Sequence, residues 1–437
     1  MALVDPVILI PGITATNLRD QYPLKPEIVW ELGVIPTKKY DRITLHPNNM
    51  KFEADEPARV KSDYLTPIAY NEIVEELRYN LSEKADEPVP VFPFPYDWRQ
   101  PLDIIEAELE TFIEEVIERT KLLRHYDASG YGKNKQGKVN FVAHSMGGLI
   151  ISGYLERKGA SAPVNKVVTL ATPFQGSLES VISLSTGTAN MGTSQPSSRE
   201  RETSRMTPAL YHLLPAFKEG ISIANGLPDS LFKPGVWQPS ITESISEFIR
   251  LKGLPVDNLS VEAKKIFKNL LKITKEHNDR ITDLNLQRCG LTSNDWLAIV
   301  GVGTVTRTRL NIVKRDGNPD FKLKKSDRKN NWKKGRSPKE RRDTGDGTVP
   351  FAGAIPPFLK EENLVLVTPD DYGYWEVQDK VFTKASGFHG ILPNMNMLHR
   401  MIVRFFTGKA DTRDNTWGRK VPGVSNWKPP LPLREES

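Results

Sequence analysis

The chain is poor in the residue that staples small extracellular folds: Cys289 is the only cysteine among 437 residues. An intrachain disulfide is thereby excluded, and a reducing compartment is favoured. Cys289 stands beside Gly290 with no base near it in sequence, so it reads as a packed residue rather than a nucleophile. Long apolar runs are missing too: none approaches the ~18 residues at which a membrane-spanning helix becomes plausible. The opening MALVDPVILIPG has no basic region ahead of a long apolar stretch and runs directly into what reads as a core strand. No secretory signal is expected there, and the expected location is cytoplasmic. Internal repeats are absent. The segment DGNPD at 316–320 alternates oxygen-bearing side chains but lacks the later acidic residue and the glycine placement of a calcium loop. No metal and no cofactor are expected.

What is present suits a large folded domain. Hydrophobic residues make up 38% and charged residues 26%, enough apolar content for a core. The 30 glycines and 33 prolines are scattered, which implies many turns rather than low-complexity disorder. The net charge of +6 is concentrated. Between Lys314 and Arg342 the chain reads KRDGNPDFKLKKSDRKNNWKKGRSPKERR. Two readings stand for this stretch: a solvated surface insertion, or a patch drawn to anionic lipid headgroups or another acidic partner. Nucleic acid is not expected, because aromatic interleaving is limited to Phe321 and Trp332.

Short Val/Ile/Leu runs alternate with helical patterns, which predicts an α/β fold with a mostly parallel sheet flanked by helices. The strands are expected at 7–10, 89–92, 138–143, 166–170, 296–302 and 363–367, each apolar without alternation, as buried parallel strands are. Apolar stripes at three- and four-residue steps predict helices through Ile73, Leu77 and Leu81, through 105–117, and through Leu398, Met401, Ile402 and Phe405, the last stopped by Gly408. Residues 178–291 are far too long for a connection between two core strands and are read as a cap insertion. The expected core is 1–177 with 292–437, carrying a lid insertion at 16–66 and a basic loop insertion at 314–342.

Chemistry concentrates in KVNFVAHSMGGLIISGYL. A buried strand ends, Ser145 follows, and a helix begins at once. Acyl transfer requires a serine oxygen held clear of the backbone near the positive end of a helix dipole. A tight strand-to-helix turn supplies this only when the residues two before and two after the serine are very small. Here they are Ala143 and Gly147, alanine standing where the usual pattern has glycine. In such a fold the order is serine, acid, histidine. Of the late histidines, His399 falls inside the final helical stripe, whereas His389 lies in the loop SGFHGILPN between two glycines and is the expected base. The segment DTGDGTVPF supplies Asp346 as the acid, with Asp343 the fallback; an ordinary Asp-Gly turn is the alternative. Oxyanion donors are expected at the amides of Met146, after the serine, and Ile13, after the Pro11–Gly12 turn.

Taken in order, PVILIPGITATNL, FPYDWRQP, VNFVAHSMGG, VVTLATPFQGS, MTPALYHLLP, GDGTVP and FHGILPNMNM resemble the lecithin:cholesterol acyltransferase-like family and its phospholipase relatives. The resemblance implies an α/β-hydrolase fold, nucleophile Ser145, acid Asp346, base His389 and oxyanion amides Ile13 and Met146. Asn396 matches an asparagine that follows the base in that family. Secreted members carry a signal peptide and disulfides, including one that shapes a membrane-binding lid, and neither feature is expected in this chain; the basic stretch has no counterpart there. The expected function is a cofactor-free serine esterase, lipase-like hydrolase or O-acyltransferase acting on carboxylic, lipid-like esters. The alternative is an inactive scaffold that binds an anionic partner or membrane through 314–342.

Overall fold

A computed structural model describes residues 3–32, 40–54, 58–188, 196–376, 379 and 387–436. Parts of the expected lid and cap insertions (33–39, 55–57 and 189–195) and Ser386, at the start of the loop that carries His389, lie outside the described residues.

Six short strands form one wholly parallel sheet: β1 (Val7–Ile10), β5 (Val91–Pro93), β6 (Val139–His144), β7 (Val164–Leu170), β9 (Trp296–Gly301) and β14 (Val365–Val367). These are the six predicted segments, with ends displaced by up to two residues. The order across the sheet is β14-β9-β7-β6-β1-β5. The chain thus leaves β1 in one direction and resumes on its other side at β6. The carboxyl ends of β1 and β6 therefore meet at a topological switch point, where open α/β sheets form their ligand crevice. Both faces of the sheet are buried. Ile8, Ile10, Phe141 and Val167 point into one apolar layer, and Val7, Leu9, Val142 and Val168 into the other.

Helices cover those faces through the predicted stripes. On α2 (Leu102–Lys121), Leu102, Ile105, Leu109, Ile113 and Val116 are buried on the first face beside α4 (Met146–Lys158). The other face is covered by α1 (Pro67–Leu81), through Ile73 and Leu77, and by α13 (Asn396–Thr407), through Leu398, Met401 and Ile402. Gly408 ends α13 in a left-handed conformation.

The 16–66 stretch contains an antiparallel sheet of β2 (Thr16–Asp20), β3 (Glu27–Trp30) and β4 (Val60–Leu65), in the order β3-β2-β4. The 178–291 stretch holds α5 (Leu178–Thr186), α6 (Ser198–Met206), α7 (Pro208–His212), α8 (Ser240–Leu251), α9 (Leu259–Asp283) and β8 (Ile221–Ile223). These elements enclose an apolar core of their own, built on Leu178, Phe248, Phe267 and Leu270.

The basic stretch departs from the expected loop. β11 (Leu310–Arg315) pairs with β12 (Asn318–Lys322) as an antiparallel hairpin and with β8 in parallel, and β10 (Thr306–Arg307) pairs with β13 (Arg328–Lys329). Asp316 and Gly317, both at positive φ, form the two-residue turn. Pro319 is tolerated because β12 is an edge strand. Leu310 and Ile312 enter the core of the 178–291 stretch, and Phe321 stacks on Trp237 at 5.3 Å. The hairpin is therefore built onto that insertion. Among the described residues, no helix is long and apolar enough to cross a membrane.

Candidate active site

At the carboxyl end of β6 the chain turns sharply into α4, and Ser145 occupies the turn at φ +52°, ψ −125°. A non-glycine residue at positive φ is strained, and the strain persists because the surroundings leave no room to relax. A Cβ on Gly147 would lie 2.6 Å from the carbonyl oxygen of Ile10 and 3.0 Å from that of Pro11. One on Gly12 would lie 3.0 Å from Ser145 Cβ and 3.5 Å from Ser145 Oγ. The end of β1 thus presses its backbone directly onto the serine, and only glycines permit the approach.

The structure brings the three distant side chains together. Ser145 Oγ lies 2.8 Å from His389 Nε2, and His389 Nδ1 lies 2.7 Å from Asp346 Oδ2. A carboxylate only accepts, so the neutral imidazole carries its proton on Nδ1 and turns a bare Nε2 to the serine hydroxyl. His389 sits on the single turn α12 (Phe388–Ile391), and its amide donates to the Asp346 carbonyl at 3.1 Å. Asp346 Oδ1 accepts the amides of Thr348 at 2.9 Å and Val349 at 2.7 Å. These bonds fix the acid's rotation and leave Oδ2 for the ring. All three residues are buried. Asp343, the fallback acid, is elsewhere, with its carboxylate 3.3 Å from Arg309.

Ile13 follows the glycine that lies against Ser145, and Met146 opens α4. Among the described residues neither amide has an acceptor. Asn396 is the first residue of α13; its amide donates to Glu376 at 2.9 Å, and its side chain bonds to none of the three residues. Cys289 is buried, directs its thiol to the Leu155 carbonyl, and is held above the usual thiol range by burial. Among the described residues no group of three or more His, Cys, Asp or Glu side chains is arranged to hold a metal.

The family described as lecithin:cholesterol acyltransferase matches residues 60–284, just over half of the chain. The chain belongs to the lecithin:cholesterol acyltransferase family. Over 90 residues it is 34% identical to the phospholipase A(1) LCAT3 of Arabidopsis thaliana, an alignment covering 20% of this chain and 17% of that protein. The chain thus spans about a sixth of the curated relative it matches. A chain in the crystal structure of the Tle4–Tli4 complex superimposes with a TM-score of 0.55 at 15% identity, covering 81% of this chain and 89% of that one. With the parallel sheet described above, this establishes the α/β-hydrolase fold. The span matched to the lecithin:cholesterol acyltransferase family includes Ser145 but neither Asp346 nor His389. For those two the family likeness rests on GDGTVP and FHGILPNMNM.

Two neighbours of the site escape a sequence reading. His144 does not bond Ser145 Oγ. Its Nε2 instead lies 3.0 Å from the carbonyl oxygen of His389 and its Nδ1 2.7 Å from the hydroxyl of Tyr70. Burial, and next the neighbouring His389, hold its pKa well below the ordinary histidine value. Tyr70 Oη also accepts the Gly12 amide at 2.9 Å. Nothing in the sequence marks Tyr70: it falls on the buried stripe of an amphipathic helix, where a tyrosine reads as core.

Proposed function

We propose that the chain is a serine acyl-ester hydrolase of lipid-like substrates, with Ser145 as nucleophile, His389 as base and Asp346 as orienting acid. The observation that carries this reading is the unbroken hydrogen-bond line from Asp346 through His389 to a serine on a strained strand-to-helix turn. In the first half-reaction Nε2 takes the hydroxyl proton while Oγ bonds to the ester carbonyl carbon. Asp346 stabilises the imidazolium without taking its proton. The carbonyl oxygen, now negative, is met by the amides of Ile13 and Met146, each such donor being worth ~3–4 kcal/mol in the transition state. The tetrahedral intermediate collapses as the alcohol oxygen leaves with the proton from Nε2, giving an acyl-enzyme. Water, deprotonated by the same nitrogen, then releases the acid and restores the serine.

Lipid-like esters are proposed from family membership and from the phospholipase name of the Arabidopsis relative. The 178–291 segment, with the β11–β12 hairpin built onto it, serves as a cap. Transfer to an alcohol in place of water is the variant of the same chemistry that the cap would decide by excluding water. The test is turnover of a short-chain p-nitrophenyl ester and of phospholipid vesicles, by wild type and Ser145→Ala, together with fluorophosphonate labelling. Labelling at Ser145 and loss of turnover in the variant are expected; equal turnover in both proteins overturns the reading.

A second role is proposed for the basic stretch between Lys314 and Arg342: peripheral contact with an anionic membrane. Several of its cations are spent internally, as Lys322 on Asp320 and Arg336 on Glu340. Lys324, Lys325, Lys333, Lys334 and Lys339 are exposed and, among the described residues, form no ion pair. The hairpin contributes to the cap core, so sedimentation with anionic vesicles should compare lysine substitutions rather than a deletion. Binding that is indifferent to them removes this role.

A further inference from the structure

His144 is an odd residue to bury beside the base. It is 3% exposed, its ring centroid lies 5.1 Å from that of His389, and no step above employs it. Its two bonds determine its state. The His389 carbonyl can only accept, so Nε2 of His144 carries a proton. Burial keeps the ring neutral, so Nδ1 is bare and accepts the Tyr70 hydroxyl proton. Burial also holds the Tyr70 phenol far above its ordinary pKa, so it remains a donor. The Tyr70 oxygen in turn accepts the Gly12 amide. Every donor and acceptor is used once and in one direction: Gly12 N–H to Tyr70, Tyr70 O–H to His144, His144 Nε2–H to the carbonyl of His389.

The two ends of this chain are functional loops under the reading above. One is the backbone of the base; the other is the glycine preceding the proposed oxyanion donor Ile13 and touching Ser145. His389 is otherwise tied to Asp346 twice, through its ring and its amide. Among the described residues, His144 is the hydrogen-bond partner of its carbonyl. A rotation of α12 that kept both Asp346 bonds would have to break that third tie.

We propose that His144 and Tyr70 are positioning residues that lock the base turn and the oxyanion loop to each other through a neutral, uniquely oriented imidazole. The proposal rests on the serine-hydrolase reading, and it predicts a split between two conservative variants. His144→Gln places an amide donor near the position of Nε2 and keeps the bond to the His389 carbonyl. His144→Asn places an acceptor near Nδ1, keeps Tyr70 and loses the base. A misplacement of about 1 Å costs about a hundredfold in rate, so kcat of His144→Asn should fall by roughly that factor with KM nearly unchanged. His144→Gln should recover most of the loss although both variants melt alike. Tyr70→Phe, which leaves Nδ1 and the Gly12 amide unpartnered, should fall between them.

The activity-independent reading is the far-downfield proton resonance of His389 Nδ1–H. It should shift or broaden in His144→Asn and return in His144→Gln. If kcat in all three variants simply follows melting temperature and the resonance is the same in Gln and Asn, His144 only packs and the proposal fails. Should wild type turn over no more ester than Ser145→Ala, the hydrolase reading falls, and the resonance still decides the positioning claim. Should His144→Asn not fold, Tyr70→Phe with His144→Gln gives the same decision.

Discussion

Among the described residues, two buried carboxylate–imidazole pairs have nearly identical lengths. Asp346 meets His389 at 2.7 Å, and Glu106 on α2 meets His277 on α9 at 2.8 Å. They differ in where the cations lie. Glu106 also receives both terminal nitrogens of Arg280, each at 3.2 Å, and Arg157 approaches to 3.9 Å. Its charge is spread over arginines, and among the described residues no hydroxyl bonds the other nitrogen of His277. Asp346 has no arginine or lysine against it among the described residues; two amides hold it, and its charge faces the imidazole alone. His389 then presents its free nitrogen to Ser145. The same pair is a staple between sheet-covering helix and inserted helix in one place, and under our reading a proton acceptor in the other. The surrounding charges, and what faces the second ring nitrogen, make the difference.

Exchanging the acids for amides should break the two pairs in opposite ways. Asp346→Asn offers an amide in place of the anion, which favours the wrong tautomer; kcat should fall by about 10⁴ while melting moves little. Glu106→Gln leaves Arg280 facing a neutral group. Breaking a buried pair costs about 3–5 kcal/mol, and the low end is expected because Arg280 is 29% exposed. Chemical denaturation should show that loss, with kcat of the folded fraction nearly intact. Equal losses of activity in both variants would mean that the two pairs are not functionally distinct. Gly153→Ala sharpens the point, because its Cβ would stand 2.0 Å from Glu106 Oε1 and drive the carboxylate off His277.

A second contrast sets His144, near the proposed base, beside His212, near the staple. Burial is the first cause of both depressed pKa values; for His212 the charges of His277 and Arg280 add to it. A histidine whose folded pKa lies below its unfolded one is protonated first in the unfolded chain. Its contribution to stability is present above the unfolded value of about 6.5 and is lost as pH falls toward the folded value, by at most about 1.4 kcal/mol per pH unit. His212→Leu removes one such group. Its stability deficit relative to wild type should therefore narrow between about pH 7 and pH 5 in denaturation curves. A deficit constant with pH would show that His212 is not kept neutral.

The sheet was legible because strands buried on both faces are apolar throughout, and the helices because their stripes keep one period. Serine, acid and histidine were legible as candidates because each sits in a turn bounded by small residues. The lysine run between Lys314 and Arg342 hid the hairpin, although the Asp316–Gly317 dipeptide is its ordinary turn signal. His144 is not legible as a positioning residue, since its partner is a backbone carbonyl 245 residues away and a carbonyl leaves no trace in sequence. Glu106 is invisible for a related reason. It lies on a glutamate-rich helix, and only the fold shows that it points inward at His277 and Arg280.

Charges that find no internal partner complete the comparison. Lys333 is exposed and, among the described residues, unpaired, whereas Arg336 three residues later is bound to Glu340 at 3.2 Å. A buried charge acts on the group it touches, but an exposed free one projects its field over about 10 Å in 0.1 M salt. Near an anionic bilayer such a lysine is worth about 1 kcal/mol. Lys333→Gln should therefore weaken sedimentation with anionic vesicles by about fivefold, at unchanged melting temperature and unchanged turnover of a soluble ester. Arg336→Gln leaves Glu340 without its partner and removes the same unit of positive charge, so it should weaken binding by a similar factor. If neither variant loses binding, or if neutral vesicles bind as well, the stretch is a solvated hairpin and its lysines serve only to keep an edge strand from pairing.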